Sequence, residues 1–252
     1  MNKPLEIIRQ FKRNWGRNLR AKQLGFKFGR TKDFKLPSKI QSGNKHFELS
    51  LPKTGHTLEL FRDIILDDEY QLNSLPVDKI HNILDIGANI GLFDIAARVR
   101  FPNARIHAYE PNLDVKEYLN HQSATCDIEV MYEAVGKESC RGNIVKTQKF
   151  DSAARVQQSA NGDVDIISFS MAIDRFGGEE IDLLKLDCEG YEHELLQDEA
   201  SFKRCQYVTM EYHLGSDMKP KVVTDRLNSI GFEILYLFER NPCIGNILAK
   251  RI

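Results

Sequence analysis

Residues 79–93 read KIHNILDIGANIGLF. Lys79 to Ile86 is a short apolar run that predicts a strand ending in Asp-Ile-Gly. Gly87-Ala88-Asn89-Ile90-Gly91 then turns the chain, and Leu92 to Val99 keeps helical spacing until Pro102 stops it. Arg105 to Tyr109 predicts a second strand, which ends in Glu110-Pro111. Strand, glycine turn, helix and strand form a β-α-β unit, the building block of an open parallel sheet.

Downstream the alternation continues. A helix is expected from Leu113 to His121 with Asn112 as its cap, then a third strand from Ile128 to Ala134 closed by Val135-Gly136. The stretch from Gly136 to Gly178 is turn-rich, with Asn143–Thr147 and Val164–Ala172 as candidate strands of an insertion or hairpin. Ile181 to Leu186 predicts a fourth strand ending in Asp187-Cys188-Glu189-Gly190, followed by a helix from Glu192 to Ala200. Tyr207–Glu211 predicts a fifth strand and Lys221–Ile230 a helix stopped by Gly231. Glu233–Phe238 and Asn246–Lys250 then finish as an antiparallel hairpin. The fold class is therefore α/β, an open, mostly parallel sheet covered on both faces.

Upstream the reading is sparser. Phe47 to Leu51 alternates like a short strand, and Thr57 to Asp67 has a mixed pattern that runs helically into Glu69-Tyr70. Residues 21–45, rich in Lys, Gly and Pro, read as a linker. Leu5, Ile8, Phe11, Trp15 and Leu19 recur at helical spacing, with Arg9, Lys12, Arg13, Arg17 and Arg20 between them. This basic amphipathic helix suits either docking on the domain or a second subunit, or peripheral adhesion to an anionic membrane. The division expected is 1–45 as helix and linker and 46–252 as one domain.

Composition narrows the class. With 42% hydrophobic and 28% charged residues the chain has the balance of an ordinary globular protein. No apolar stretch approaches the roughly 20 residues that span a bilayer. Five scattered cysteines without a C-x-x-C pair suggest reduced thiols rather than disulfides or zinc, so a cytoplasmic location is expected. The net charge of −1 hides an asymmetry: residues 1–35 hold eleven Lys or Arg against Glu6 and Asp33. That charge is confined to one appendage without an interleaved aromatic platform, so no nucleic acid is expected as partner.

In an open sheet, ligands collect beyond the carboxyl ends of the strands. A dinucleotide fingerprint would need glycine at positions 89 and 92, where Asn89 and Leu92 stand, so a pyrophosphate is disfavoured. A cofactor with a carboxylate, an amine and a ribose suits the turn better, with Asp85 and Asn89 near the zwitterion. Glu110, nineteen residues after Gly91, stands where an acid accepts hydrogen bonds from a ribose diol.

ILDIGANIGLF (83–93), HAYEPN (107–112), EAVG (133–136), IDLLKLDCEGYEHELL (181–196) and VTMEYH (208–213) together resemble the FkbM family of S-adenosylmethionine-dependent methyltransferases, from about Glu69 onward. The most specific piece, Lys185 to Glu192, is similar to the family's K-[IL]-D-x-E-G-x-E segment. The resemblance implies the class I methyltransferase (Rossmann-like) fold, with a seven-stranded sheet and methylation of a hydroxyl on a sugar or other small molecule. It also implies that Gly87, Ala88, Asn89 and Gly91 line the methionine part of the cofactor. Glu110 and Pro111 would meet the ribose, Ala134 and Val135 the adenine edge, and Asp187 the cofactor as well. Tyr191, where the family commonly has a small residue, departs from the pattern and would reshape the acceptor pocket.

Methylating an alcohol also requires a base, and His213, Asp187 and Glu189 are the candidates. His213 is preferred because imidazole titrates near working pH. Asp187, Glu211 and Glu189 could instead hold Mg²⁺, a reading not favoured because strand-end carboxylates also close hydrogen bonds. A nicotinamide-dependent oxidoreductase and a non-catalytic binding protein of the same fold are the alternatives.

Overall fold

The N-terminal repeat folds as α1 (Lys3–Gln23), but the helix meets the rest of the chain through its cationic face. Arg17 is 5% exposed and grips Asp67 with Nε and Nη2 at 2.7 and 2.5 Å, while Ala21 and Leu24 enter the core. Phe11, Trp15 and Leu19 face outward. The structure, a computed structural model, describes residues 3–146, 154–215 and 218–252, with only the backbone of 3–8. The side chains of Leu5 and Ile8, and Thr147 at the end of an expected strand, lie outside the described residues.

The segment read as a linker carries apolar side chains that bury. β1 (Lys39–Ser42) pairs antiparallel with β2 (Lys45–Glu48), Ile40 opposite Phe47, and both are buried. Phe28, Phe34 and Phe61 pack in sequence as tilted rings with centroids 5.0 and 5.8 Å apart, which ties this segment to α2 (Gly55–Phe61). Thr54 caps α2 by accepting from the Thr57 N–H, and a π-helical turn, Arg62–Leu66, continues it.

The predicted β-α-β unit is present as β3 (Asn82–Ile86), α3 (Leu92–Arg100) and β4 (Arg105–Tyr109), followed by α4 (Lys116–Cys126) and β5 (Glu129–Met131). A second sheet of four strands contains β6 (Ala134–Gly136), β7 (Cys140–Val145), β8 (Arg155–Gln158) and β9 (Val164–Ser168), in the order β6-β9-β7-β8. α5 (Phe169–Asp174), β10 (Ile181–Leu186), α6 (Glu192–Leu195), α7 (Glu199–Phe202) and β11 (Cys205–His213) come next. α8 (Pro220–Ser229), β12 (Phe232–Glu239) and β13 (Ile244–Arg251) complete the described elements.

The main sheet has seven strands in the order β12-β13-β11-β10-β3-β4-β5; β11, β10, β3, β4 and β5 pair parallel, and β13 lies antiparallel between β11 and β12. Ile95 of α3 and Leu119 of α4 belong to one buried cluster, and Phe169, Leu195, Phe202 and Leu227 to another. This matches the expected fold: both faces are covered, and central strands such as β10 are apolar almost throughout because neither face meets water. Chain order reverses direction across the sheet between β3 and β10, so a crevice opens beyond their carboxyl ends. No helix among the described residues is long and apolar enough to cross a membrane.

Three further expectations are corrected. The strand expected over 128–134 breaks after Met131, because Ala134–Gly136 leaves the edge of the main sheet and pairs with β9. The strand expected over 164–172 ends at Ser168, whose hydroxyl accepts from the Met171 N–H and starts α5. The helix expected over 192–200 divides into α6 and α7, because Asp198 caps a new turn through the Ser201 N–H.

The approach of β3 to β10 sets a steric limit at the glycine turn. Gly87 has φ +89°, and a Cβ there would sit 1.9 Å from the Asp187 carbonyl oxygen. Gly87→Ala should therefore lower stability by about 3 kcal/mol or more, read as a drop in denaturation midpoint; an unchanged midpoint would show that the two loops are not held this close.

Candidate active site

The crevice is a cavity of about 380 Å³, within the range of small-molecule sites. Gly87, Asn89, Glu110, Pro111, Ala134, Val135, Asp187, Glu189 and His213 all line it, so most residues singled out in the sequence converge. Asp85, Ala88 and Gly91 do not line it. Asp85 is fully buried beneath the turn, and its partner is Lys185, whose Nζ lies 3.0 Å away.

Lys185 organises the floor. It is 2% exposed, donates to the Gly87 carbonyl at 2.5 Å and lies 3.9 Å from Asp187. Burial alone would lower its pKa, but Asp85 and Asp187 raise it, so the ammonium stays charged. Burial and then the neighbouring Asp85 push Asp94 well above the carboxylate range, which leaves a neutral acid beside the ion pair.

Glu110 braces the turn from the other side. One of its oxygens accepts from the Asn89 N–H at 2.8 Å and the other from the Asn112 N–H at 2.7 Å. Each oxygen keeps a lone pair for a ligand hydroxyl. Burial raises this carboxyl to about 7 against the lowering effect of the two amides.

The segment after β10 arranges the polar wall. Glu189 (φ +56°) and Gly190 (φ +101°) form a left-handed turn, and the N–H groups of Cys188 and Gly190 point at the Glu192 carboxylate, 2.8 and 2.9 Å away. Glu192 also meets His213 Nδ1 at 3.4 Å, while His213 Nε2 lies 3.4 Å from Glu189 and 4.0 Å from Glu211. Tyr70, buried behind the cavity, donates to Asp187 at 2.7 Å, and the second Asp187 oxygen is buried without a partner among the described residues. Arg240 bridges Glu69 and Glu211, the latter at 3.1 Å.

The sequence reading missed Tyr70, Glu69 and Arg240, which arrive from distant segments and carry no local signal. Lys185 and Glu192 stood in the quoted segment without a role. Asp187, Glu211 and His213 each place a donor atom within 4.8 Å of the others, so a divalent cation is a chemically reasonable occupant. Arg240 and His213 already supply positive charge there.

Carboxylates crowded into a poorly hydrated wall hold their protons. Burial, then Asp187 and Glu211, raises Glu189 to about 8. Burial also lifts Glu211 and Glu69 to about 7, with Asp187 adding to both. Burial alone would lower His213, but Glu192, Glu189 and Asp187 outweigh it and raise the imidazole to about 9. In the unfolded chain these groups titrate near ~4.3 and ~6.5. The folded values are higher, so this stabilisation is complete below the unfolded values and is lost as pH rises through 7 to 9. The melting temperature should fall from about pH 6 to about pH 9, less steeply in Glu211→Gln; a flat or rising profile would contradict the crowded wall.

The family profile described as Methyltransferase FkbM domain matches residues 85–240. Methyltransferase sdnD of Sordaria araneosa is 27% identical over 223 residues, covering 69% of this chain and 82% of its own length. AMB antimetabolite synthetase AmbE of Pseudomonas aeruginosa is 24% identical over 246 residues, covering 77% of this chain, which spans only 11% of that protein. The crystal structure of methyltransferase FkbM from Methylobacillus flagellatus KT superposes with a TM-score of 0.48 at 15% identity, covering 80% of this chain and 56% of that one. The profile runs from the end of β3 to the Arg240 that closes the cavity, well over half of the sequence, and the chain belongs to the FkbM methyltransferase family.

Proposed function

We propose that the protein is an S-adenosylmethionine-dependent O-methyltransferase acting on a hydroxyl of a sugar, glycan or other small natural product. One observation carries the reading: the Asn89 turn and Glu110 share a single cavity with Asp187, Glu189 and His213. Cofactor-binding groups and proton-handling groups therefore face the same space. Bound S-adenosylmethionine supplies an electrophilic methyl on a sulfonium.

The chain's own residues do the rest. The backbone at Gly87 and Asn89 receives the amino-acid end, and Glu110 accepts the ribose hydroxyls. Ala134 and Val135, with Ile86, offer an apolar wall for the adenine. These contacts fix the methyl in line with an acceptor oxygen, and such alignment is where much of the rate arises. Tyr191 lines the cavity and accepts from Gln158 at 3.2 Å, a bulky boundary for the acceptor.

His213 takes the acceptor proton, held by Glu192 on one nitrogen and Glu189 on the other. In the free protein its raised pKa of about 9 keeps it protonated at neutral pH, so the competent base form grows as pH rises. The scheme uses no metal: Arg240 supplies positive charge against Glu69 and Glu211.

Transfer of labelled methyl from S-adenosylmethionine to hydroxylated acceptors tests this. Activity per unit KM should climb from about pH 7 to about pH 9 and should persist under chelation. His213→Ala should lose about 10²- to 10⁴-fold in turnover with cofactor affinity unchanged. Unchanged turnover would remove His213 as the base, and a chelation loss restored by Mg²⁺ would assign Asp187, Glu211 and His213 to a cation instead.

A further inference from the structure

We propose that α1 lies on an anionic lipid surface, with Phe11, Trp15 and Leu19 entering the boundary between headgroups and acyl chains. This rests on the outer face of the molecule and is independent of the methyl-transfer reading. Spaced four residues apart, the three side chains form one stripe and are 71%, 62% and 45% exposed. A stripe of this kind normally faces the core. Here the core side of the helix is taken by Arg17 on Asp67, with Arg13 Nε also on Asp67 at 2.7 Å. The helix is thus held firmly to the domain while its apolar residues remain uncovered.

Charge decides the occupant. Arg9, Lys12 and Lys22 on the helix, with Arg30 and Lys32 on the segment beside it, are exposed, and none is paired with a carboxylate among the described residues. Phe11 and Trp15 share a shallow groove with Arg30 and Lys32, so aromatic and cationic groups sit side by side. Lipid phosphates complement these cations while the rings enter the apolar boundary, the arrangement of interfacial helices. A second copy of the chain would set the same cations against each other. Three side chains also fall short of the roughly 800 Å² per partner of a stable interface.

Trp15 is the sole tryptophan, so its emission reports this site alone. The full chain is titrated with vesicles of equal phosphatidylcholine and phosphatidylglycerol, and with phosphatidylcholine alone. Blue-shifted emission and co-sedimentation with the anionic vesicles only, weakened by salt, is the expected result. Phe11→Ala/Leu19→Ala keeps the reporter and should weaken partitioning about tenfold or more at an unchanged melting temperature, since both side chains are exposed. Lys12→Glu/Lys22→Glu should do the same at physiological salt. No vesicle-dependent shift, equal binding to neutral vesicles, or a lipid-free shift that tracks dimer formation would each overturn the proposal.

Discussion

A single buried ammonium joins the parts of this site. Lys185 leaves the end of β10, pairs with Asp85 at the end of β3 and donates to the carbonyl of Gly87. The two strands are already paired in the sheet, and the ammonium ties the glycine turn to the strand ends that form the crevice. A buried ion pair gives little net stability, because desolvation offsets the attraction, but losing one partner strands a charge. What such a pair provides is geometry, and here the geometry is the cofactor turn. Gly87 is needed for the same reason: the strand ends lie too close for a Cβ.

The polar wall follows from a second constraint, the folding of Glu192 back on its own loop. The left-handed Glu189-Gly190 pair aims amide N–H groups at that carboxylate, which then reaches His213. A histidine set between Glu192 and Glu189 cannot titrate as a free imidazole would, and the nearby carboxylates keep their protons well into the neutral range. The same crowding that tunes the chemistry weakens the free protein at high pH.

Much of this was legible in the sequence where burial writes a simple pattern. β3, β4 and β10 lie within the main sheet, so they read as short, largely buried and mostly apolar runs, and the polar residues at their ends stand out. Glu110, which stands out for that reason, lines the cavity. Asp85 was legible as a strand end but not as a buried partner, because only the tertiary position of Lys185 decides which way that carboxylate is satisfied. The break after Met131 was hidden because Glu129–Gly136 keeps a strand-like character while changing partners. The facing of α1 was hidden as well: periodicity shows a stripe, while the Asp67 contact that turns it outward lies 50 residues away.

Calorimetric titration of the purified protein with S-adenosylmethionine, alongside NAD, tests the central claim most directly, since every role assigned to the cavity depends on that ligand. Saturable binding of S-adenosylmethionine, weakened about tenfold or more in Glu110→Ala through lost charge-assisted hydrogen bonds, is the result the account requires. No binding, or a preference for the dinucleotide, would contradict it.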